Sequence, residues 1–134
     1  MAVQVSTQLP RLSVALIDGD MAIRRAVQLR LRAGPFDVRA YASGWSMLAE
    51  IELQTDCVVV RDTMTEIDGF ELLRRLRERG WRGPAILVTK TPSPGLAAAA
   101  ACAGFAAVVD RPLVDDLMLN TVAAATRPAP EIAA

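Results

Sequence analysis

The stretch CVVVRDTMTEIDGFELLRRLRERG, residues 57–80, contains the pattern that decides the fold. Residues 57–60 are consecutive apolar side chains rich in β-branched valine, as expected of a strand that is covered on both faces. A polar loop at residues 61–68 follows, and residues 70–79 then show apolar side chains at helical spacing after Gly69. The stretch therefore predicts a buried strand, a polar loop and an amphipathic helix, in that order.

The same order of strand and helix occurs twice before this stretch. Residues 12–17 are a short apolar run that ends in an acidic turn at residues 18–20, and residues 21–33 then have apolar side chains at helical spacing. Residues 36–41 alternate as a strand does, and Ser43 is placed to cap a helix that reaches residue 51. Each segment therefore predicts one strand and the helix that follows it.

Two further units follow residue 80. The apolar residues 85–89 predict a strand, and the alanine-rich residues 96–103 predict a helix that begins after a proline-containing loop. Gly104 ends this helix, after which residues 106–109 predict a fifth buried strand and residues 114–125 a last helix. The whole pattern is five strands that alternate with five helices.

This alternation predicts a doubly wound α/β domain, in which helices cover both faces of a parallel sheet. We expect the domain to span residues 11–126, between a disordered N-terminal segment at residues 1–10 and a disordered tail at residues 127–134. In such sheets the functional side chains lie just beyond the carboxyl ends of the strands. The residues predicted to occupy that position are Asp18, Gly19, Asp20, Arg61, Asp62, Thr89 and Arg111.

The composition argues against several classes of function. Fifteen basic and fifteen acidic residues cancel, so the chain lacks the excess positive charge of a nucleic-acid or acidic-membrane binder. No apolar run is long enough to span a membrane, and the N-terminus does not have the layout of a signal peptide, so we expect a cytoplasmic protein. The chain contains no histidine, which removes the most common metal ligand and general base.

The cysteines and tryptophans are interpreted mainly as structural residues. Cys57 and Cys102 lie within apolar runs and not in a metal-binding spacing, so we expect both to be buried, reduced thiols. Trp45 has the helical spacing of a core residue. Trp81 lies in a predicted turn, where two interpretations stay open: an exposed anchor for a partner, or a side chain that folds back over the third helix.

Several features together resemble the receiver domains of response regulators. They are the acidic turn after the first strand, Gly69-Phe-Glu-Leu-Leu73 at the start of the third helix, Thr89 at the end of the fourth strand and the pair Arg111-Pro112. Residues 41–48 and 69–80 look closest to receivers of regulators with LuxR-type, FixJ-like output. The resemblance covers nearly the whole chain and implies the flavodoxin-like (βα)5 fold of the CheY-like superfamily, with strand order 2-1-3-4-5.

The resemblance also implies a phosphorylation pocket, from which this chain departs. In receivers, acidic side chains after the first strand and an aspartate after the third hold Mg²⁺, and that aspartate accepts the phosphoryl group. Eight residues before Gly69, at the acceptor position, this chain has Arg61, which stays protonated and cannot attack phosphorus. Gly19 stands at the position of the principal metal-binding carboxylate. We therefore expect no cofactor and no metal, with Asp18 and Asp20 as the ligands that remain if an ion binds.

Two switch positions depart from the family and one agrees with it. Arg111 stands where receivers have lysine, and Val108 stands where they usually have an aromatic residue. Thr89, whose hydroxyl contacts the phosphorylated product in the family, is retained. The resemblance therefore implies a receiver that keeps the fold and lacks most of the phosphorylation machinery.

Three interpretations of the residues after the third strand stay open. In the first, the Arg61 guanidinium replaces Mg²⁺, because Asp18 and Asp20 face Arg61 and Arg111 and leave the pocket neutral. In the second, Arg61 is an exposed remnant. In the third, Asp62 is the acceptor, although that alignment would turn residues 57–60 inside out; otherwise we expect Asp62 to cap a loop or to face solvent.

These observations predict an atypical receiver, or pseudo-receiver, that acts in bacterial two-component signal transduction by phosphorylation-independent protein–protein interaction. Its partner would be a histidine kinase or another signalling protein. The alternatives are a functional phospho-receiver that uses Asp62 and the receiver part of a LuxR-type transcription factor. We do not expect an enzyme, because the chain has no glycine-rich phosphate loop after the first strand and no histidine base.

One surface is predicted to bind a second copy. Receivers often dimerise through the fourth helix, fifth strand and fifth helix, and a homodimer through that face is a hypothesis for this chain. The arginines at residues 74–82 instead predict a solvated helix face and no DNA contact, because no aromatic residues interleave with the arginines of the helix at residues 74–79. The apolar residues of the predicted interaction face are Leu96, Val108, Leu113, Leu117 and Met118.

Overall fold

The computed structural model describes residues 11–50 and 54–127. Strands and helices alternate along these residues, as the sequence predicts. The strands are Leu12–Ile17 (β1), Phe36–Tyr41 (β2), Cys57–Arg61 (β3), Ala85–Val88 (β4) and Ala107–Val109 (β5). The helices are Met21–Arg32 (α1), Gly44–Leu48 (α2), Gly69–Glu78 (α3), Pro94–Ala103 (α4) and Leu117–Thr126 (α5).

The strands form one parallel sheet in the order β2-β1-β3-β4-β5, which confirms the predicted doubly wound topology. The central strand β3 is buried along its whole length. Val58 and Val60 belong to the apolar core that also contains residues of α2, α3 and α4, whereas Cys57 and Val59 belong to the core that contains residues of α1 and α5. Because side chains alternate along a strand, a slip by one residue would exchange the two cores.

Four helices begin at a side chain that caps their free backbone N–H groups. Each of these side chains accepts a hydrogen bond from a backbone N–H in the first turn of its helix, and the Ser43 cap is as predicted. Because these helices follow strands, their caps fix where the loops at the carboxyl edge of the sheet end. The capping residues are Asp20 for α1, Ser43 for α2, Asp68 for α3 and Ser93 for α4.

The helix α5 begins at Leu117 and not at residue 114 as predicted. Residues 112–116 form turns and bends instead, and the Leu117 N–H donates to the Val114 carbonyl. Asp115 has a φ of 44° in this segment, a left-handed conformation that interrupts a helix. The predicted start was wrong because apolar residues continue at helical spacing through a segment whose backbone is not helical.

Several predictions fall on residues outside the described part of the chain. These are the disordered segment at residues 1–10, most of the disordered tail, at residues 128–134, and the end of the second helix at residue 51. Arg127, which was assigned to the tail, is the C-cap residue of α5. Within residues 11–50 and 54–127, no helix has the length and apolar character needed to cross a membrane.

The two cysteines differ in exposure, contrary to the prediction that both are buried. Cys57 is buried in β3, whereas Cys102 is exposed on α4. This helix consists mostly of alanine, and Ala100 is its one buried residue. The prediction for Cys102 was wrong because the apolar composition of α4 favours a helix without placing its side chains in the core.

We expect iodoacetamide to modify Cys102 and to leave Cys57 unmodified in the folded protein at about pH 8. The thiolate is the reactive form of cysteine, and burial raises the pKa of the Cys57 thiol to about 12, so this thiol stays protonated. Intact-protein mass should show one modification in native buffer and two in denaturant. Equally fast modification of both thiols in native buffer would contradict the burial of Cys57.

The structure agrees with one of the two interpretations of Trp81 and contradicts the prediction for Trp45. Trp81 is buried against α3, its indole Nε1 donates to the Thr55 carbonyl at 2.8 Å, and the Arg77 guanidinium lies over its ring. Trp45, which was predicted to be a core residue, is 42% exposed and lies under the Arg75 guanidinium. Two arginines of the predicted solvated face are therefore partly covered by aromatic rings.

Candidate functional site

The predicted functional side chains meet at the carboxyl edge of the sheet. Asp18 follows β1, Arg61 ends β3 and Thr89 follows β4, and these three strands are neighbours. All three residues are buried, and so is Asp62. Buried polar groups require partners, and the structure joins these four side chains into two pairs.

The first pair is an ion pair between Arg61 and Asp18. Arg61 Nε lies 3.0 Å and Nη2 2.9 Å from Oδ2 of Asp18. The exposed fractions are 7% for Arg61 and 3% for Asp18, so the pair is shielded from solvent. The other carboxylate oxygen of Asp18, Oδ1, accepts the backbone N–H of Asp20 at 2.9 Å. Arg61 therefore lies inside the pocket, and the interpretation of an exposed remnant is wrong.

The position of Gly69 requires a glycine because α3 packs closely against the end of β3. The Gly69 N–H donates to the Asp62 carbonyl at 3.0 Å, which closes the loop between β3 and α3. A Cβ atom at Gly69 would lie 2.6 Å from the Arg61 carbonyl oxygen and 3.0 Å from Cδ1 of Leu87. Only a residue without a side chain allows α3 to approach the end of β3 this closely.

The second pair joins Asp62 to Thr89. The Thr89 hydroxyl donates to Oδ2 of Asp62 at 2.7 Å, and Oδ1 of Asp62 accepts the Thr63 N–H at 2.8 Å. The Thr89 oxygen in turn accepts the Thr91 N–H at 3.0 Å. Asp62 therefore caps its loop, as one interpretation predicts, but it is buried and does not face solvent.

Three of the predicted site residues take no part in these side-chain pairs. Gly19 is exposed, and Asp20 caps α1. The hydrogen bond from the Ile23 N–H lowers the pKa of the Asp20 carboxyl. The Arg111 side chain is exposed at the edge of the pocket. Of the two acids and two arginines predicted to neutralise the pocket, only Asp18 and Arg61 form the buried ion pair, and Asp62 is a second buried acid.

Comparison with known protein families agrees with the fold and the position of the site. The family model for the response regulator receiver domain matches residues 14–123. The chain belongs to the response-regulator receiver family. Receiver domains act in two-component signalling, and they are in general signalling modules without enzymatic activity.

Curated relatives of this receiver are transcriptional regulatory proteins. It is 31% identical over 114 residues to FixJ of Azorhizobium caulinodans, covering 84% of this chain and 54% of the relative. It is 27% identical over 114 residues to TdiR of Thauera aromatica, covering 84% of this chain and 50% of the relative. The chain thus spans about half the length of these relatives.

Solved structures of other receivers superpose on this one. A response regulator receiver protein from Burkholderia phymatum has a TM-score of 0.74 and 30% sequence identity, over 86% of this chain and 94% of that chain. The chemotaxis protein CheY4 of Vibrio cholerae has a TM-score of 0.79 at 21% identity, over 85% of this chain and 98% of that chain. The second likeness shows the fold alone.

The family implies a magnesium ion in this pocket, and the residues of this receiver do not fit one. In the described part of the chain, no three histidine, cysteine, aspartate or glutamate side chains are grouped as a metal site requires. Oδ2 of Asp18 is bonded by Arg61, and its Oδ1 is bonded by a backbone N–H. A cation at the acceptor position would meet the positive charge of the Arg61 guanidinium.

A cleft of about 270 Å³ opens beside the Arg61–Asp18 pair, and Lys90 is among its lining residues. Lys90 was not among the site residues predicted from the sequence. The signal was present, because Lys90 is the only lysine of the chain and it directly follows Thr89 at the end of β4. Arg111 lines the same cleft.

The predicted interaction face of this receiver is only partly exposed. Leu113 and Leu117 are exposed, whereas Leu96 and Val108 are half-buried against the core. Met118 is buried in the core that contains residues of α1 and α5. Met118 is therefore not available to a partner, and that part of the predicted face is wrong.

Proposed function

We propose that this receiver acts in two-component signalling by binding protein partners without being phosphorylated. The observation that carries the proposal is the buried Arg61–Asp18 ion pair at the position where the family places its acceptor and its metal. A guanidinium stays protonated at physiological pH and offers no nucleophile. Arg61 therefore closes the acceptor position both chemically and sterically.

The ion pair supplies from within the chain the charge balance that receivers otherwise obtain from a metal ion. Asp18 directly follows β1, and Arg61 is the last residue of β3. Their contact links the carboxyl ends of these two neighbouring strands. A charge-assisted contact in a buried site is strong once both charges are matched. The pair thus braces the two ends in one arrangement.

The Asp62–Thr89 pair supports the same proposal at the switch residue. In phosphorylated receivers, the hydroxyl at the position of Thr89 contacts the phosphoryl group. Here it donates to Asp62, and this contact links the end of β3 to the start of the loop between β4 and α4. A switch needs two alternative arrangements, and this contact favours one of them.

The partners belong to the proposal as well. We propose a histidine kinase or another signalling protein, and a homodimer stays a hypothesis in which Leu113 and Leu117 are the exposed apolar residues of the face. FixJ and TdiR are named as transcriptional regulatory proteins, so a place in a LuxR-type transcription factor stays an alternative. A cytoplasmic location is also proposed, since signalling partners of receivers act there.

We expect the receiver to gain no phosphoryl mass when it is incubated with acetyl phosphate and Mg²⁺. The reason is that Arg61 cannot accept the group, and Asp62 is buried with its carboxylate oriented by Thr89 and by the Thr63 N–H. Intact-protein mass measures the outcome directly. The Asp62→Ala variant should behave in the same way as the parent.

A double variant, Gly19→Asp with Arg61→Asp, serves as the matched positive control. A Cβ at Gly19 would meet nothing nearer than 3.9 Å, so a side chain can begin there without a clash. This variant carries the acidic residues of an ordinary receiver and should gain one phosphoryl group. A gain in the parent that Asp62→Ala abolishes would show that the chain is a phospho-receiver using Asp62, and the proposal would be wrong.

A further inference from the structure

The cleft beside the ion pair combines positive charge with apolar walls. We name it the cationic cleft and define it by the cations Arg61, Lys90 and Arg111 and the apolar residues Ile23, Leu113 and Val114. It lies at the carboxyl edge of the sheet, where α/β proteins of this topology bind ligands. Its volume of about 270 Å³ suits a small molecule and not a large cofactor.

Arg61 presents unused hydrogen-bond donors to this cleft. Its contact with Asp18 uses Nε and Nη2, and Nη1 donates to none of the residues that the structure describes. Within that part of the chain, no fully covered side-chain nitrogen or oxygen lacks a partner. Nη1 of Arg61 is therefore not fully covered, and Arg61 lines the cleft, although the residue as a whole is more than nine-tenths buried. A buried guanidinium with free donors is a site for an anion.

The charges that line the cleft favour the same kind of ligand. Lys90 and Arg111 are exposed beside Arg61, and Asp110 is the one acidic residue among the described lining. The carboxylate of Asp110 lies 3.9 Å from Arg111 Nε, which is a weak contact that an incoming anion can replace. The Asp62 carboxylate accepts from Thr89 and does not line the cleft. The Asp20 carboxylate is attracted by Lys90 and Arg61 but caps α1 and lies outside the cleft lining.

The apolar walls select among anions. Leu113 and Val114 belong to the turn segment that precedes α5 and are both exposed, and Ile23 contributes from α1. An inorganic anion would leave these side chains in contact with water, whereas an alkyl or aryl group would cover them. The walls therefore favour an anion that carries an apolar group.

We propose that the cationic cleft reversibly binds a small organic anion, a carboxylate or a phosphate monoester on an apolar group. The anion lies against Nη1 of Arg61 and between Lys90 and Arg111, and its apolar group covers Leu113 and Val114. No bond is made or broken. The inference rests on the proposed function in that Arg61 is a permanent cation in place of a phosphate acceptor.

The test is a titration of the isotope-labelled full chain followed by backbone amide NMR. The probes are inorganic phosphate, butyl phosphate and butyrate, each compared with sodium chloride at equal ionic strength. We expect saturable shifts centred on residues 61, 90 and 111, and tighter binding of butyl phosphate than of inorganic phosphate by at least about tenfold, the effect of burying two methylene groups. Butyl phosphate and butyrate then show which anionic group the cleft prefers.

Matched variants distinguish binding at the cationic cleft from nonspecific attraction of anions to the positive charges of the surface. Lys90→Ala should weaken all three probes, whereas Arg82→Ala removes the same charge at the opposite edge of the sheet and should weaken none. Leu113→Ser should reduce the preference for butyl phosphate and leave inorganic phosphate unchanged. Equal effects of Lys90→Ala and Arg82→Ala, or shifts that sodium chloride reproduces, would overturn the proposal.

The outcome is distinguishable from a failure of the proposed function. Reversible binding leaves the intact mass unchanged after dialysis, whereas phosphorylation adds a phosphoryl group to the chain. Absence of saturable shifts with a parent that also gains no phosphoryl mass would overturn the anion site alone. Phosphoryl transfer to Asp62 would overturn the proposed function, because the pocket would then work as a phosphate acceptor.

Discussion

Replacing Arg61 by methionine should lower the free energy of unfolding by about 3–5 kcal/mol. Methionine fills most of the space but leaves the Asp18 carboxylate buried without its partner. An unmatched buried charge loses its hydration without gaining a compensating contact, which is why breaking a buried pair costs more than breaking a surface pair. Urea unfolding followed by tryptophan fluorescence measures the change.

The double variant Asp18→Asn with Arg61→Met is the control for this prediction. It removes both charges, and the asparagine oxygen can still accept the backbone N–H of Asp20. Most of the lost stability should return, because neither charge then has to be buried. A loss below about 1 kcal/mol in the single variant, the value for an exposed ion pair, would contradict a buried, charge-matched pair.

Replacing Gly69 by alanine should destabilise the receiver by about 3 kcal/mol, the upper end of the usual cost of overpacking. The added methyl group would lie 2.6 Å from the Arg61 carbonyl oxygen, so α3 and the end of β3 must move apart. That movement would also lengthen the hydrogen bond that the Gly69 N–H donates to the Asp62 carbonyl. Thermal unfolding followed by circular dichroism measures the loss.

Gly95→Ala is the matched control substitution, because Gly95 lies in the first turn of α4. A Cβ at Gly95 would meet nothing nearer than Ser93 Oγ at 3.9 Å. This variant should be as stable as the parent or more stable by up to about 1 kcal/mol, because alanine favours helix. Equal stability of the two variants would show that the close approach at Gly69 is relaxed in solution.

The arrangement of the strands was predictable from the sequence because burial on both faces produces unbroken apolar runs. Residues 57–60 and 85–89 show such runs, and their lengths leave little freedom in where a strand begins and ends. The place of the site was predictable for the same reason, since residues that follow these runs must lie at one edge of the sheet. Arg61 and Asp18 were identified in this way, and the structure brings them into contact.

The contacts inside the site were less predictable, because they depend on the direction of side chains in loops. The hydrogen bond between Asp62 and Thr89 requires the pairing of β3 with β4 and the backbone of the following loops, neither of which has a local sequence signal. Lys90 was missed although it directly follows Thr89, which placed it at the same edge of the sheet. Met118 was misassigned because the family's dimer face does not tell which residues of α5 pack inward, and Cys102 because the apolar composition of α4 favours a helix without placing its side chains in the core.

A contact that belongs to the polypeptide itself is present in every copy from the moment of folding. Under the proposed function, the Arg61–Asp18 ion pair leaves no modified and unmodified fractions whose ratio a kinase and a phosphatase could adjust. Two quantities are then left to convey information: the copy number of the protein and the occupancy of its cationic cleft. A signal carried by copy number rises with synthesis and falls with degradation and dilution, so it changes over the turnover time of the protein and not over the lifetime of an acyl phosphate.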